Sequence, residues 1–354
     1  MFKDLKIIEL SSVLAGPAVG MFFSELGAKV IKVENPLTGG DVTRSWKLPS
    51  EYKDAPVSAY YSSVNWNKEI VFIDISTAIG KQEVYNLSKD ADIIIVNYKA
   101  GAAEKLQMDY ESFKTLNPKV IYASITGFPE GNNRPAFDVV LQAETGFMSM
   151  NGTAESGPVK MPVAIIDILA AHQLKEAILI ALIQKAKTGE GSHVSTSLYE
   201  SAIASLANQA SNYLMAGHIA KPIGSLHPNI APYGETFKTR DEKLIILAIG
   251  NDKQFLQLCN LLGIETNDIE LYFSTNKERV KNRGLLFEKL APKIVLYNGK
   301  DFMQELDEFQ IPGGIVKNME EVFSSDSTKK LVLEEIIQNT TTKRVKTVAF
   351  KTSF

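Results

Sequence analysis

The chain has 354 residues, 45% hydrophobic and 22% charged, with 38 lysines and arginines against 41 aspartates and glutamates for a net charge of −3. That length and composition suit one large and one smaller globular domain, and the mild acidity excludes a dedicated nucleic-acid or membrane-surface binder, which would be basic. A single cysteine, Cys259, excludes an internal disulfide and a cysteine-rich zinc site, and His172, His193, His218 and His227 lack metal-binding spacing, so no metal is expected.

Taken in chain order, the first part alternates strand and helix patterns. Lys6–Leu10 is a short apolar strand, Gly16-Pro17 opens a helix running to Leu26, and Lys29–Val33 is a second strand ending at Glu34. Ile70–Ile75, Asp92–Val96 and Val120–Ile125 are further strands with helical stretches between them, the pattern of crossover units and a parallel sheet. In such sheets ligands bind beyond the C-terminal ends of the strands, which marks Ser11–Pro17, Glu34–Arg44, Asn97–Gly101 and Thr126–Phe128 as site loops. A helix is expected over Asp138–Met150 and an apolar one over Asp167–Lys187, stopped by Thr188-Gly189-Glu190-Gly191. His193–Ser197 is a strand and Leu198–Ala216 one long helix, after which Gly217–Tyr233 is a linker or site loop rich in Gly, Pro, His and Asn. A smaller unit follows, with strands at Lys243–Ile249 and Gly314–Lys317 and helices at Asp252–Leu262, within Asn276–Ile294 and at Lys300–Phe309; the tail Thr341–Phe354 is β-like. No apolar run reaches membrane-spanning length, the longest being broken by Asp167, and the start carries Asp4 and Glu9 and is unlike a secretory signal. The expected setting is reduced and cytoplasmic, with no nucleic-acid or membrane partner.

The first strand–helix–strand unit invites a dinucleotide reading, but its loop has Gly16 and Gly20 and no G-x-G-x-x-G, so the backbone cannot approach a pyrophosphate in the usual way. A helix start capped by serine accounts for that stretch. Asp167, in Met161-Pro-Val-Ala-Ile-Ile-Asp-Ile-Leu-Ala-Ala, is a carboxylate among apolar neighbours, a costly placement unless donors satisfy it. It is either the N-cap of the helix that follows or a nucleophile kept ionised by the helix dipole, and the two are compatible. Paired carboxylates of the glycosidase kind and a G-x-S-x-G serine are both missing. Arg44, Lys47, Lys68, Lys99, Lys105 and Arg134 fall near strand ends, either as solvated surface charge or as a group able to neutralise a phosphorylated ligand.

Longer blocks say more. Leu5-Lys-Ile-Ile-Glu-Leu-Ser-Ser-Val-Leu-Ala-Gly-Pro, Leu26-Gly-Ala-Lys-Val-Ile-Lys-Val-Glu-Asn-Pro, Gly40-Asp-Val-Thr-Arg, Asn65-Trp-Asn-Lys, Ala91-Asp-Ile-Ile-Ile-Val-Asn-Tyr-Lys-Ala-Gly, Pro135-Ala-Phe-Asp-Val-Val-Leu-Gln-Ala and His227-Pro-Asn-Ile-Ala-Pro-Tyr occur in order along nearly the whole chain. Together they resemble the class III CoA-transferases, the group of carnitine dehydratase, bile-acid-inducible protein and formyl-CoA transferase. The resemblance implies an α/β fold with a Rossmann-like parallel-sheet large domain and a smaller α/β domain, in an obligate, interlocked-ring homodimer. The large, CoA-binding domain would comprise 1–216, the small domain with its linkers 217–328, and the segment 329–354 would return to the large domain.

The same resemblance implies coenzyme A, carried as acyl-CoA, and a free carboxylic acid as substrates. It gives Asp167 the role of nucleophile, attacking the thioester to form a mixed anhydride and then an aspartyl-CoA thioester. Asn97, Tyr98 and Lys105 match positions lining the CoA nucleotide pocket, Lys68 lies in the block bordering it, and Leu14 and Ala15 match the loop beside the thioester. Leu14 stands where several formyl-CoA transferases have glutamine, which argues against a preference for a formyl or oxalyl group; Asn35, Trp66 and Glu69 replace familiar basic residues, so CoA phosphate contacts are either fewer or supplied elsewhere. Gly224–Tyr233 matches a loop that approaches the active site. Related readings are an acyl-CoA racemase of the same fold, whose histidine position is Phe137 here, and a non-catalytic acyl-CoA-binding relative.

Overall fold

The computed structural model describes Met1–Ser353 and divides the chain into two units, one of Met1–Pro222 plus the segment from Lys330 onward, the other of Ile223–Lys329. The first unit is built on strands β1 (Lys6–Leu10), β2 (Lys29–Glu34), β3 (Glu69–Phe72), β4 (Ile93–Val96), β5 (Ile121–Thr126), a two-residue pair β6 (Gly152–Thr153) and β7 (Gly157–Pro158), and β8 (Ser192–Ser197). Six of these form one sheet in the order β3-β2-β1-β4-β5-β8, every neighbouring pair parallel. Both faces are covered. Ile7, Val30, Ile93, Ile95 and Ile121 pack under helices α1 (Ala15–Glu25) and α8 (Ile165–Thr188), while Ile8, Ile31, Ile94 and Tyr122 pack with Val84 and Phe113 on the other side. In α8 the buried stripe is Ile166, Ala170, Leu174 and Ile178, and the helix stops at Gly189 in the left-handed conformation, where only glycine is free of strain.

The glycines that suggested a dinucleotide fold serve packing instead. A Cβ on Gly20 would lie 1.9 Å from Glu9 Oε2, and one on Gly16 would lie 2.4 Å from Ser11 Cβ, so both let α1 settle directly onto β1 and the loop after it.

Some elements differ from expectation. The stretch predicted as one helix from Leu198 is two, Leu198–Ala204 and Ala207–Ala216; Ser205 Oγ bonds back to Ser201 O at 2.7 Å, and Ala207 takes φ +47°. In the tail, Val332–Ile337 (here β9) and Thr340–Val345 (β10) form an antiparallel hairpin turned by Gln338 and Asn339, both with positive φ, and no strand follows Val345 among the described residues. This hairpin belongs to the first unit: Glu335 accepts from Asn67 N, and Glu25 accepts from the amides of Thr347 and Val348.

The second unit has an antiparallel sheet of Tyr233–Lys238, Leu244–Ala248 and Gly313–Ile315, backed by helices Asp252–Leu262, Arg283–Ile294 and Gly299–Glu308 around Phe237, Phe255 and Phe302. Its entry loop is pinned from within. Arg283 donates to the carbonyls of His227 (2.6 Å) and Ile230 (2.8 Å), and buried Arg279 to that of Ala231 (3.0 Å).

Candidate active site

At the C-terminal ends of β1, β4 and β5 the first unit opens a cavity of about 480 Å³, lined by Ser12–Ala15, Asn97–Ala100, Ile125–Gly127, Arg134–Phe137 and Asp167, among others. Beside it lies a second, of about 550 Å³, lined by Glu34, Asn35 and residues of the 38–45 turn; the two share Ser12, Val42, Asn97, Tyr98 and Lys99. This is where a parallel sheet places ligands, because the loops there leave the strands in diverging directions.

Asp167 is not the cap of its helix. α8 begins two residues earlier, with Ala164 at the N-cap and no side chain of its own satisfying the first turn. The cap comes from another helix, Asp138–Glu144 (α6). Asp138 Oδ1 accepts from Ile166 N at 2.7 Å and from Asp167 N at 3.4 Å, while its Oδ2 accepts from Gln142 Nε2. Gln142 Oε1 in turn accepts from Met161 N at 2.7 Å, fixing the approach to α8. Asp167 is therefore freed from capping and only 7% exposed. Burial first, and the Asp138 carboxylate second, push its pKa up to about 7, against the helix dipole that favours the charged form. Tyr60 is raised to about 12 by burial and by Asp167, Asp138 and Asp41.

Beneath the loop after β1 lies a fully buried charge cluster. Glu9 and Lys32 face each other in register on β1 and β2, with Lys32 Nζ 3.0 Å from Glu9 Oε1, 3.1 Å from Asp41 Oδ2 and 2.6 Å from Ser11 O. Lys68 Nζ lies 2.8 Å from Glu9 Oε2 and donates to Pro17 O and Asn65 Oδ1. Burial works against both ammonium groups. Three carboxylates (Glu9, Asp41, Glu34) outweigh it at Lys32, whose pKa is raised, whereas Lys68, with Glu9 but also the Lys32 charge nearby, falls to about 8.

Known proteins match this chain from end to end. The description CoA-transferase family III fits residues 2–354. The chain belongs to this family. The succinate–glutarate CoA-transferase of Agrobacterium fabrum is 39% identical over 330 residues, covering 91% of this chain and 81% of that protein. The human succinyl-CoA:glutarate CoA-transferase is 34% identical, covering 91% and 73%. The crystal structure of a CAIB/BAIF family protein from Brucella suis matches with 36% identity and a TM-score of 0.84, over 99% of this chain and 92% of that one.

In this CoA-transferase Leu14, Ala15, Asn97, Tyr98, Phe137 and Asp167 all line the first cavity, and Asn97 and Tyr98 the second as well. Lys68 and Lys105 do not come to either. No residue of the Asn65–Lys68 block lines either cavity, the Lys68 ammonium is taken up by Glu9, and Lys105 is exposed on Ala102–Leu106. Of the other basic residues, Arg44 is buried on Glu34 and Tyr61, Lys47 is tied to the carbonyls of Lys53 and Ala55, Lys99 lines both cavities, and Arg134 the first. Asn35 lines the second cavity; Trp66 packs with Arg344, and Glu69 pairs with Lys29. Asp138, Asp41 and Tyr60 escaped the sequence reading, although Asp41 and Asp138 both sit inside blocks singled out there.

Proposed function

We propose that the enzyme moves CoA between small dicarboxylic acids through covalent intermediates on Asp167. The observation carrying this is Asp167 itself, a nearly buried carboxylate that no capping role occupies, on the wall of a cavity of about 480 Å³. Its Oδ attacks the thioester carbonyl carbon, the C–S bond breaks, and CoA leaves as thiolate from a mixed anhydride. The thiolate then attacks the Asp167 carbonyl carbon, the anhydride C–O bond breaks, and the first acid departs as carboxylate, leaving aspartyl-CoA. An acceptor carboxylate reverses both steps. One thioester is exchanged for another, so the site must chiefly aim the groups and exclude water. The second cavity would take the nucleotide end of CoA, with Lys99 facing its phosphates. An obligate homodimer, implied by the family resemblance, is part of this reading. Proton exchange of the racemase kind finds no support at Phe137, which carries no titratable proton.

Incubation with succinyl-CoA, quenching and peptide mass spectrometry should show CoA mass on the peptide containing Asp167, absent in Asp167→Ala. Transfer surviving in Asp167→Ala would overturn the assignment.

The dicarboxylate preference rests on relatives named for succinate and glutarate and on the charge lining the cavity. Lys99 and Arg134 are the cations there; Arg134 lies over Phe128 at 4.9 Å and is held by Glu144. A guanidinium at the rim suits the distal carboxylate of the acid. Arg134→Gln should lower kcat/KM for glutarate by about 10–100-fold and leave pentanoate nearly unchanged. Equal losses with both acids would remove Arg134 from that role.

A further inference from the structure

The loop leaving β1 is held in an unfavourable shape by side chains from three other segments. Val13 has φ +70°, and among the described residues with positive φ it is the one β-branched side chain. Such a residue stays in the left-handed region only where its surroundings over-determine it. Here three successive backbone groups are each fixed. Lys32 donates to Ser11 O at 2.6 Å. Asn97 grips Ser12 from both sides, accepting from its N–H at 2.9 Å and donating to its carbonyl at 2.7 Å. Asp41 accepts from Val13 N, at 3.2 Å to Oδ2 and 3.4 Å to Oδ1. Asp41 is itself locked: Thr43 donates to Oδ1 from its N–H (3.0 Å) and hydroxyl (2.8 Å), and Lys32 lies against Oδ2. The next residues, Leu14 and Ala15, start α1 without any side-chain cap and line the cavity that holds Asp167.

We propose that Asp41 is a positioning residue for CoA transfer, acting through Val13: by holding that peptide in the left-handed conformation it sets where Leu14 and Ala15 stand beside the reacting thioester. Asp41 borders the second cavity, but its side chain is 1% exposed and its carboxylate oxygens are taken up by Val13, Thr43 and Lys32, which makes it a support of the wall. The inference rests on the reading of Asp167 as the group that takes up CoA.

The test is a double-mutant cycle in the full-length enzyme with succinyl-CoA and glutarate. Asp41→Asn should lower kcat about 30-fold with KM for succinyl-CoA within about twofold, since the wall loses its set without losing CoA contacts. Glycine adopts positive φ freely, so in the Val13→Gly background the same Asp41→Asn change should cost no more than about threefold. A loss of equal size in both backgrounds, or no loss in kcat at all, would overturn the proposal, because a purely structural Asp41 has no reason to depend on residue 13. Should Asp41→Asn not fold, Thr43→Ala loosens the same carboxylate, with an expected fall of about fivefold that Val13→Gly likewise removes. The rate of CoA adduct formation on Asp167 separates the two readings. A wild-type enzyme that forms no adduct overturns the Asp167 assignment and this inference with it, whereas an adduct formed equally fast in wild type and Asp41→Asn overturns this inference alone.

Discussion

Asp167→Asn should abolish CoA transfer while making the folded protein more stable at pH 8. On the activity side, the amide oxygen is a poor nucleophile and cannot form the anhydride, so a loss of at least about 1,000-fold is expected. In the wild type, kcat/KM for acyl-CoA should be half-maximal where Asp167 is half ionised, at about pH 7, falling about tenfold per pH unit below that and levelling above. The stability effect has a definite sign. The carboxyl's ordinary pKa is 3.8 and its folded value about 7, so between those values the folded protein keeps a proton that the unfolded chain has released. Folding stability therefore declines as pH rises through that window and is flat above it. Asparagine has no proton to lose. Against wild type, the variant should gain on the order of 2–4 kcal/mol at pH 8, and that gain should vanish near pH 4. Both tryptophans, Trp46 and Trp66, lie in the first unit, so urea unfolding followed by their fluorescence measures this directly. A variant less stable than wild type at pH 8 would mean that Asp167 is not the desolvated carboxylate described.

The cluster beneath the loop predicts the opposite kind of result. Lys32→Met removes the charge that Glu9 and Asp41 share while keeping a side chain of similar length. Both carboxylates have fully buried side chains, at 0% and 1% exposure, and each would be left without its nearest cation or with only part of its compensation. Breaking such a pair from one side costs about 3–5 kcal/mol, because the remaining charge stays out of water. The urea midpoint of the tryptophan signal should fall by about 1 M or more. Removing Lys238 from its exposed pair with Glu242 should hardly move it. A small effect from Lys32→Met would show that water or a relaxed Lys68 reaches the cluster easily.

Strand β4 was legible in the sequence because a sheet covered on both faces needs nearly unbroken apolar runs, β1, β2 and β5 because isoleucine, valine or tyrosine still recurs along them, and the site loops followed from where such strands end. Asp167 stood out because a carboxylate amid isoleucines asks for an explanation. What sequence could not give was which partner each buried charge finds. Lys68 and Lys99 are both lysines near strand ends, yet one spends its charge on Glu9 while the other lines both cavities. The difference is a property of the assembled fold, which brings Lys68 to the Glu9 oxygen that Lys32 leaves free. The same holds for Asp138, which caps a helix starting far along the chain; capping across elements leaves no local spacing to detect. The left-handed Val13 was also invisible, since valine gives no signal for that conformation.

The hairpin at the end of the first unit has a consequence for how the chain matures. Glu25, on α1, accepts backbone hydrogen bonds from Thr347 and Val348, 322 and 323 residues later. Contacts so distant in sequence are the slowest to form, because the loop they close must be ordered first. During synthesis, at roughly 5–20 residues per second, α1 waits many seconds for its last neighbours, while all of Ile223–Lys329 emerges in between. The first unit is thus the first to emerge and the last to be complete, and until the segment from Lys330 is made, Glu25 and Asn67 lack the partners they have in the folded chain.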